Sequence, residues 1–367
     1  MSFSNASARP LPNRLSVAEA VLAAACPAPI GERDCVLLGH GSGGQLSARL
    51  IEQLLLPAFR NPALEALDDQ AVLPLAGGQR LAFTTDSYVV TPLFFPGGDI
   101  GELAVNGTIN DLAVGGAKPL ALSLSLILEE GFPMLELRRV VASLSAAAER
   151  AQVPIVTGDT KVVGKGNGDG VFINTAGIGL VPAGVTLGSA RIESGDAVIV
   201  SGTLGDHGMA ILSQREGLEL GGDLQSDTAP LHELCGALLE ACPEIHAMRD
   251  PTRGGLAAVL TEIATRRNLG IELDESAIPI SDPVRGACEL FGIDPLLVAN
   301  EGKLVAFVPE VFAERALAAL RAHPLGRQAA RVGSVSDRRP WLVTLRGRYG
   351  ESRVLDLPLT EPLPRIC

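Results

Sequence analysis

Gly39-His40-Gly41-Ser42-Gly43-Gly44 opens the first organised part of the chain, and Gln45 to Leu56 follows with Leu46, Leu50, Leu54 and Ile51, Leu55 at helical spacing. A glycine-rich turn thus feeds a helix N-terminus. Such a turn frees backbone N–H groups to cradle an anion, and the helix dipole assists. The spacing also satisfies G-x-G-x-x-G, but no strand-turn-helix-strand unit surrounds it, and a purely structural turn serves the pattern equally well. Nothing in the chain reads G-x-x-x-x-G-K-[ST], so any nucleotide is held without a P-loop.

Acidic residues follow at intervals. Asp69 comes after Asp68, Asp86 ends the strand-like run from Leu81, Asp99 follows two glycines, Asp111 closes Asn106-Gly-Thr-Ile-Asn-Asp, and Asp159 closes the apolar run from Pro154. Asp86 and Asp159 are expected at strand ends, with Asp69, Asp99 and Asp111 in turns or loops. Carboxylates gathered in this way hold Mg²⁺ against nucleotide phosphates, because hard cations need oxygen ligands. Singly, each also suits a turn or a cap. Strands are predicted at Leu120 to Leu128 and Phe172 to Val181, and a helix over Met134 to Ala151.

The second half opens with a strand at Asp196 to Gly202, running into Thr203-Leu-Gly-Asp-His207-Gly and a helix from Met209 to Glu216. His207 has no second His or Cys at ligand spacing and reads as a hydrogen-bonded loop residue. Arg249-Asp250-Pro-Thr-Arg253-Gly-Gly precedes an amphipathic helix carrying Leu256, Val259, Leu260 and Ile263. Arg253 suits a phosphate and Asp250 a metal, or the two form an ion pair and a cap. Glu301, between apolar runs, is either a half-buried general base or a turn residue.

The 367 residues favour two domains, and 47% hydrophobic content with only 4% aromatics predicts a core of Val, Leu, Ile and Ala. A net charge of −12 without a basic stripe argues against nucleic acid, and the longest apolar run is too short for a membrane. Six cysteines without CxxC spacing fit reduced thiols in the cytoplasm. The expected boundaries are a poorly ordered lead-in over 1–34, an N-terminal domain over 35–185, a C-terminal domain over 186–345 and a tail over 346–367. That tail ends Pro362-Leu363-Pro364-Arg365-Ile366-Cys367, a thiol on a proline-stiffened segment.

Taken in order, Gly39-His-Gly-Ser-Gly-Gly, Thr84-Thr-Asp-Ser-Tyr, Phe94-Phe-Pro-Gly-Gly-Asp-Ile-Gly, Asn106-Gly-Thr-Ile-Asn-Asp-Leu-Ala, Gly158-Asp-Thr-Lys-Val-Val, Arg249-Asp-Pro-Thr-Arg-Gly-Gly-Leu, Ala299-Asn-Glu-Gly-Lys and Pro364-Arg-Ile-Cys367 resemble the HypE family of hydrogenase maturation factors. The resemblance runs from about Val36 to Cys367. It implies a two-domain PurM-like fold, shared with aminoimidazole ribonucleotide (AIR) synthetase and selenophosphate synthetase. In that fold an α+β N-terminal domain pairs with a second copy in a dimer barrel, an α/β domain follows, and the C-terminal tail is flexible.

The resemblance also implies a reaction. The terminal cysteine receives a carbamoyl group from the carbamoyltransferase HypF. With ATP and Mg²⁺ the thiocarboxamide is dehydrated to a thiocyanate, and the cyano group passes through the HypC–HypD complex to iron in nickel-iron hydrogenase assembly. Carried onto this sequence, Cys367 is the carrier, Lys161 stabilises phosphoryl transfer and Glu301 is the base. Asp69, Asp86, Asp111, Asp159 and Asp250 are the metal ligands, and Gly41, Ser42, Gly43, Gly44, Asn110, Thr160 and Arg253 bind ATP. The alternative is another ATP enzyme of the superfamily, similar to selenophosphate synthetase or thiamine-phosphate kinase. The former is expected to carry a reactive Cys near its glycine loop, where this chain has only Cys35, a few residues before it.

Overall fold

The computed structural model describes residues 35–218, 224–358, 363 and 365–367. The expected lead-in over 1–34, and Pro362 and Pro364 of the tail, lie outside the described residues. From Leu38 onward the chain builds two sheets. The first has the order β1-β2-β7-β5-β6, made of β1 (Ala71–Pro74), β2 (Arg80–Tyr88), β5 (Lys118–Glu129), β6 (Ile155–Val163) and β7 (Val171–Val181). The two-stranded β3 (Phe94–Phe95) and β4 (Gly98–Asp99) stand apart from it.

The predicted helix after the glycine turn begins as α1 (Gln45–Leu50) and continues through a π-helical turn at Ile51–Leu55. Helix α2 (Ile100–Val114) and helix α3 (Met134–Ala151) follow in this part of the chain. Strands β5 and β6 are parallel, which requires a crossover, and α3 supplies it. Helix α3 shows the spacing that predicts it, burying Val140, Leu144, Ala147, Ala148 and Ala151 against α2.

Helix α2 contradicts the expected loop around Asn106 to Asp111. It is buried on nearly every side, between the first sheet, α3 and elements of the second half, so no polar stripe marks it. Its internal Gly107 is needed for packing, since a Cβ there would lie 2.2 Å from the Tyr88 hydroxyl. Asp99 is the N-cap of this helix and accepts from the backbone N–H of Gly101 and Glu102 at 2.8 and 3.1 Å.

The second sheet has the order β14-β13-β10-β12-β8-β11-β9. Its members are β8 (Asp196–Val200), β9 (Ala247–Arg249), β10 (Gly270–Asp274), β11 (Val305–Pro309), β12 (Ala330–Ser336), β13 (Val343–Arg346) and β14 (Ser352–Val354). All its pairings are antiparallel except β10 with β13. Helices α4 (Asp206–Arg215), α5 (His232–Ala241), α6 (Gly255–Arg267), α7 (Asp282–Phe291) and α8 (Ala313–Ala322) accompany it.

Strand β8 shows why the sheet is apolar on both sides. Val198 and Val200 point to the core containing Leu256, Leu260 and Ile263 of α6, whereas Ala197 and Ile199 point to the core containing Leu234 of α5 and Leu320 of α8. No helix among the described residues is long and apolar enough to cross a membrane.

One face of the first sheet is covered by α2. On the other, Phe83, Ile178 and Ile127 are about 40% exposed, and Phe83 and Ile178 stand opposite each other on β2 and β7.

Candidate active site

Four of the five acids singled out as metal ligands gather where the two halves meet. Asp111, on α2, lies 2.7 Å from the Thr84 hydroxyl of β2, and that hydroxyl is 2.9 Å from the Asp69 carbonyl. Burial pushes the Asp111 carboxyl well up, and the charges of Asp250, Asp86 and Asp69 push it further. Burial also raises Asp250 to about 8 and Asp69 to about 6, the latter opposed by Arg249, whose Nε donates to Asp69 at 2.8 Å. Asp86 lies inside β2 rather than at its end, two residues before Tyr88 closes the strand.

Carboxylates that raise one another's pKa are the donor set a divalent cation satisfies, and their oxygens suit Mg²⁺. No three His, Cys, Asp or Glu side chains among the described residues close on one point as a finished cage. Asp69 is engaged by Arg249, which leaves Asp86, Asp111 and Asp250 as the residues best placed to hold the ion.

Asp159, Thr160 and Lys161 are not brought to this group. They lie in the middle of β6, at the far edge of the sheet, three inter-strand spacings or about 14 Å from β2. Asp159 pairs with Ser125, and Ser125 with Asn174, which pairs with Ser87. Residues directly opposite share a face, so Asp159 stands on the face of Ser87 and opposite to that of Asp86. Lys161 Nζ donates to Asp159 at 2.9 Å, and both side chains are largely exposed.

The glycine turn at 39–44 packs on the turn before α6. Arg253 donates to the Gly41 carbonyl at 2.9 Å, and a Cβ on Gly43, whose φ is +88°, would lie 2.8 Å from Arg253 Cβ. The Ser42 hydroxyl bonds the Gly39 carbonyl at 3.1 Å, and the Gly43 N–H donates to Ser47 Oγ at 2.9 Å. At the start of α1, which Gly44 precedes, Gln45 N–H donates to the Pro358 carbonyl at 3.4 Å and its side chain to that of Leu357 at 2.8 Å. The tail therefore crosses the helix N-terminus on which an anion cradle was expected.

Glu301 is buried, and its Oε1 has no hydrogen-bond partner. Burial raises its pKa well above the usual range, with the charges of Asp86, Asp250 and Asp227 adding to the effect. Its main chain is fixed from both domains: the N–H donates to Asp227 Oδ1 at 3.0 Å, and the carbonyl accepts from Asn110 Nδ2 at 3.0 Å. Asn110 also donates to the Ala229 carbonyl and accepts the Leu231 N–H, so its bonds clamp the domains together.

The segment Ser226-Asp227-Thr228 carried no sequence signal, because its partners are distant in the chain. Asp227 pairs with Lys303 at 3.1 Å, and Thr228 receives a bond from Asn106 at 3.3 Å. His207 is a hydrogen-bonded residue, as expected, but it sits in the first turn of α4 and is fully buried.

The end of the tail is docked. Val89 N–H donates to the main-chain oxygen of Cys367 at 3.0 Å and Thr91 N–H to the Arg365 carbonyl at 3.3 Å, extending β2 by ladder-like pairing. Leu363 and Ile366 are buried in a core shared with Tyr88, Met209, Val298 and Ala299, and Cys367 packs partly buried against it.

Comparison with known proteins matches residues 67–181 to the AIR synthase related protein N-terminal domain and residues 193–341 to its C-terminal domain. The carbamoyl dehydratase HypE of Cupriavidus necator is 53% identical over 330 residues, covering 90% of this chain and 94% of that one. A solved HypE–HypF complex superposes with a TM-score of 0.80 at 47% identity, over 84% of this chain and 99% of its counterpart. A HypE solved in complex with ATP superposes at 0.76 with 49% identity, over 91% and 100%. With two matched domains that between them span more than half its length, and a relative more than half identical over nearly all of it, the chain belongs to the HypE family of carbamoyl dehydratases.

Proposed function

We propose that this protein accepts a carbamoyl group from HypF on Cys367 and dehydrates it to a thiocyanate at the expense of ATP. The cyano group would then pass to the HypC–HypD complex for nickel-iron hydrogenase assembly. The observation that carries this reading is the docked tail. Cys367 bonds Val89, three residues or about 10 Å of strand beyond Asp86. Leu363 of the same tail packs in one core with Val298 and Ala299, three and two residues before Glu301.

In the proposed reaction the amide oxygen attacks the γ-phosphoryl of ATP and ADP leaves. The C–O bond then breaks and the oxygen departs with phosphate; as the C≡N bond forms the nitrogen gives up both protons, one of which leaves on the departing phosphate. Glu301 takes the other, its raised pKa making it a strong base once ionised. Arg253, anchored on Gly41, faces the phosphates beside Gly41 to Gly44, while Asn110 serves the ATP site indirectly through its clamp on Glu301. Mg²⁺ held by Asp86, Asp111 and Asp250 would neutralise charge on the transferring phosphoryl group.

Asp159, Thr160 and Lys161 lie about 14 Å from the strand of Asp86 within one chain, so they reach such a site only from a second copy of the chain. We infer that this second copy covers the outward sheet face in a homodimer, closing the barrel and burying Phe83, Ile178 and Ile127. Lys161 would then stabilise developing charge across that interface. A carrier thiol must stay reduced, and a cytoplasmic location suits that need.

Single-turnover phosphate release tests the proposal. Carbamoylated protein should release one phosphate per tail. Equal release from uncarbamoylated Cys367→Ala protein would contradict the coupling.

A further inference from the structure

The geometry points to His207 as a positioning residue that holds the tail docked and ties its docking to Glu301. This rests on Cys367 being the carrier. The imidazole is completely buried, with one nitrogen on the tail and the other on the Ser226 loop. Nε2 lies 3.0 Å from the Ile366 carbonyl, and Nδ1 lies 2.8 Å from Ser226 Oγ. A carbonyl only accepts, so Nε2 carries the proton and donates to the tail. Nδ1 must then accept, and the Ser226 hydroxyl is its donor. Ser226 Oγ in turn accepts the Thr228 N–H at 3.2 Å, which leaves its hydroxyl proton free to point at His207.

This chain of bonds fixes one tautomer, and that tautomer is the one able to grip the tail. Phe95 fixes the ring plane from its edge, with centroids 5.6 Å apart at 88°.

The loop that orients His207 also positions the proposed base. Asp227, next to Ser226, accepts the Glu301 N–H. One three-residue segment thus reaches the tail's penultimate carbonyl through His207 and the backbone of Glu301 directly. The nearby Arg365 contributes the tail's own anchor: its Nε donates to the Val89 carbonyl at 3.1 Å, its side chain pairs with Asp169, and its carbonyl accepts from Arg215 at 2.8 Å. Arg365 chooses the groove, and His207 sets the last residue within it.

The test uses the full-length protein and two readouts. Hydrogen exchange at the Val89 and Thr91 amides, both bonded to tail carbonyls, reports docking without reference to catalysis. Single-turnover thiocyanate formation from carbamoylated protein reports positioning. His207→Phe keeps a ring against Phe95 but has no donor, and one buried hydrogen bond lost corresponds to exchange faster by about tenfold. His207→Gln, whose amide can still donate, should restore slow exchange, and Ser226→Ala should lie between the two.

Thiocyanate formation should slow in the same order, while carbamoylation by HypF proceeds unchanged. Exchange at Val89 and Thr91 equal in wild type and His207→Phe would overturn the latch. Faster exchange with an unchanged dehydration rate would overturn its part in positioning. A His207→Gln variant as impaired as His207→Phe would assign the effect to packing and overturn the proposal likewise. If wild-type protein forms no thiocyanate, the carrier reading fails, and the exchange arm still decides whether His207 holds the tail.

Discussion

Asn110, on a helix of the N-terminal half, donates 3.0 Å to the carbonyl of Glu301 in the C-terminal half. The same side chain takes two further bonds, to Ala229 and Leu231, and has little left to offer a ligand. Its replacement by Ala would leave buried backbone groups unpaired. We expect Asn110→Ala to lose about 1–3 kcal/mol of unfolding free energy in denaturant titrations, with thiocyanate yield falling as Glu301 loses its anchor. Unchanged stability would show that the clamp is dispensable.

Glu301→Gln preserves size and removes the base. ATP binding should stay near wild type, while single-turnover dehydration slows by about 10²–10⁴-fold, the span general base catalysis contributes. A normal thiocyanate yield would remove Glu301 from the mechanism.

The buried acids make stability depend on pH with a definite sign. Asp69 and Asp250 have native pKa values of about 6 and about 8, raised chiefly by burial. An unfolded carboxyl titrates near about 4. The native state therefore holds protons that the unfolded chain has released, and stability falls as pH rises. Without divalent cations, melting temperature should decline from about pH 5 to pH 8. Asp250→Asn should flatten the upper part of that decline, and Mg²⁺ with ATP should oppose it. Thermal unfolding across that range checks this, and a metal-free melting temperature rising with pH would contradict it.

The uncovered sheet face gives an assembly prediction. Phe83→Glu places a charge opposite Ile178, where the inferred partner packs. Light scattering should report a dimer for wild type and a monomer for the variant, with dehydration lost along with the interface. A wild-type monomer with full activity would separate Lys161 and Asp159 from the chemistry.

Much of the fold was legible from periodicity. Met134 to Ala151 is a helix with the expected bounds, and the apolar runs at Leu120 to Leu128 and Phe172 to Val181 are strands. The helix through Asn106 to Asp111 was illegible because its polar residues answer buried partners: Asn106 meets Thr228, Thr108 meets Thr175, and Asn110 meets Glu301. Alternation of this kind mimics a loop. The acids showed themselves by residue type, but which face of the sheet each occupies is set by strand register, and that separates Asp159 from Asp86. The His207, Ser226 and Asp227 relay depends entirely on contacts far apart in sequence.

The central claim is tested most directly by intact mass after incubation with HypF, carbamoyl phosphate and ATP. The account predicts that each chain first gains one carbamoyl group at Cys367 and then loses one water, with neither change in Cys367→Ala. A carbamoyl group that persists in the presence of ATP, or one that appears on the Cys367→Ala chain, would contradict it.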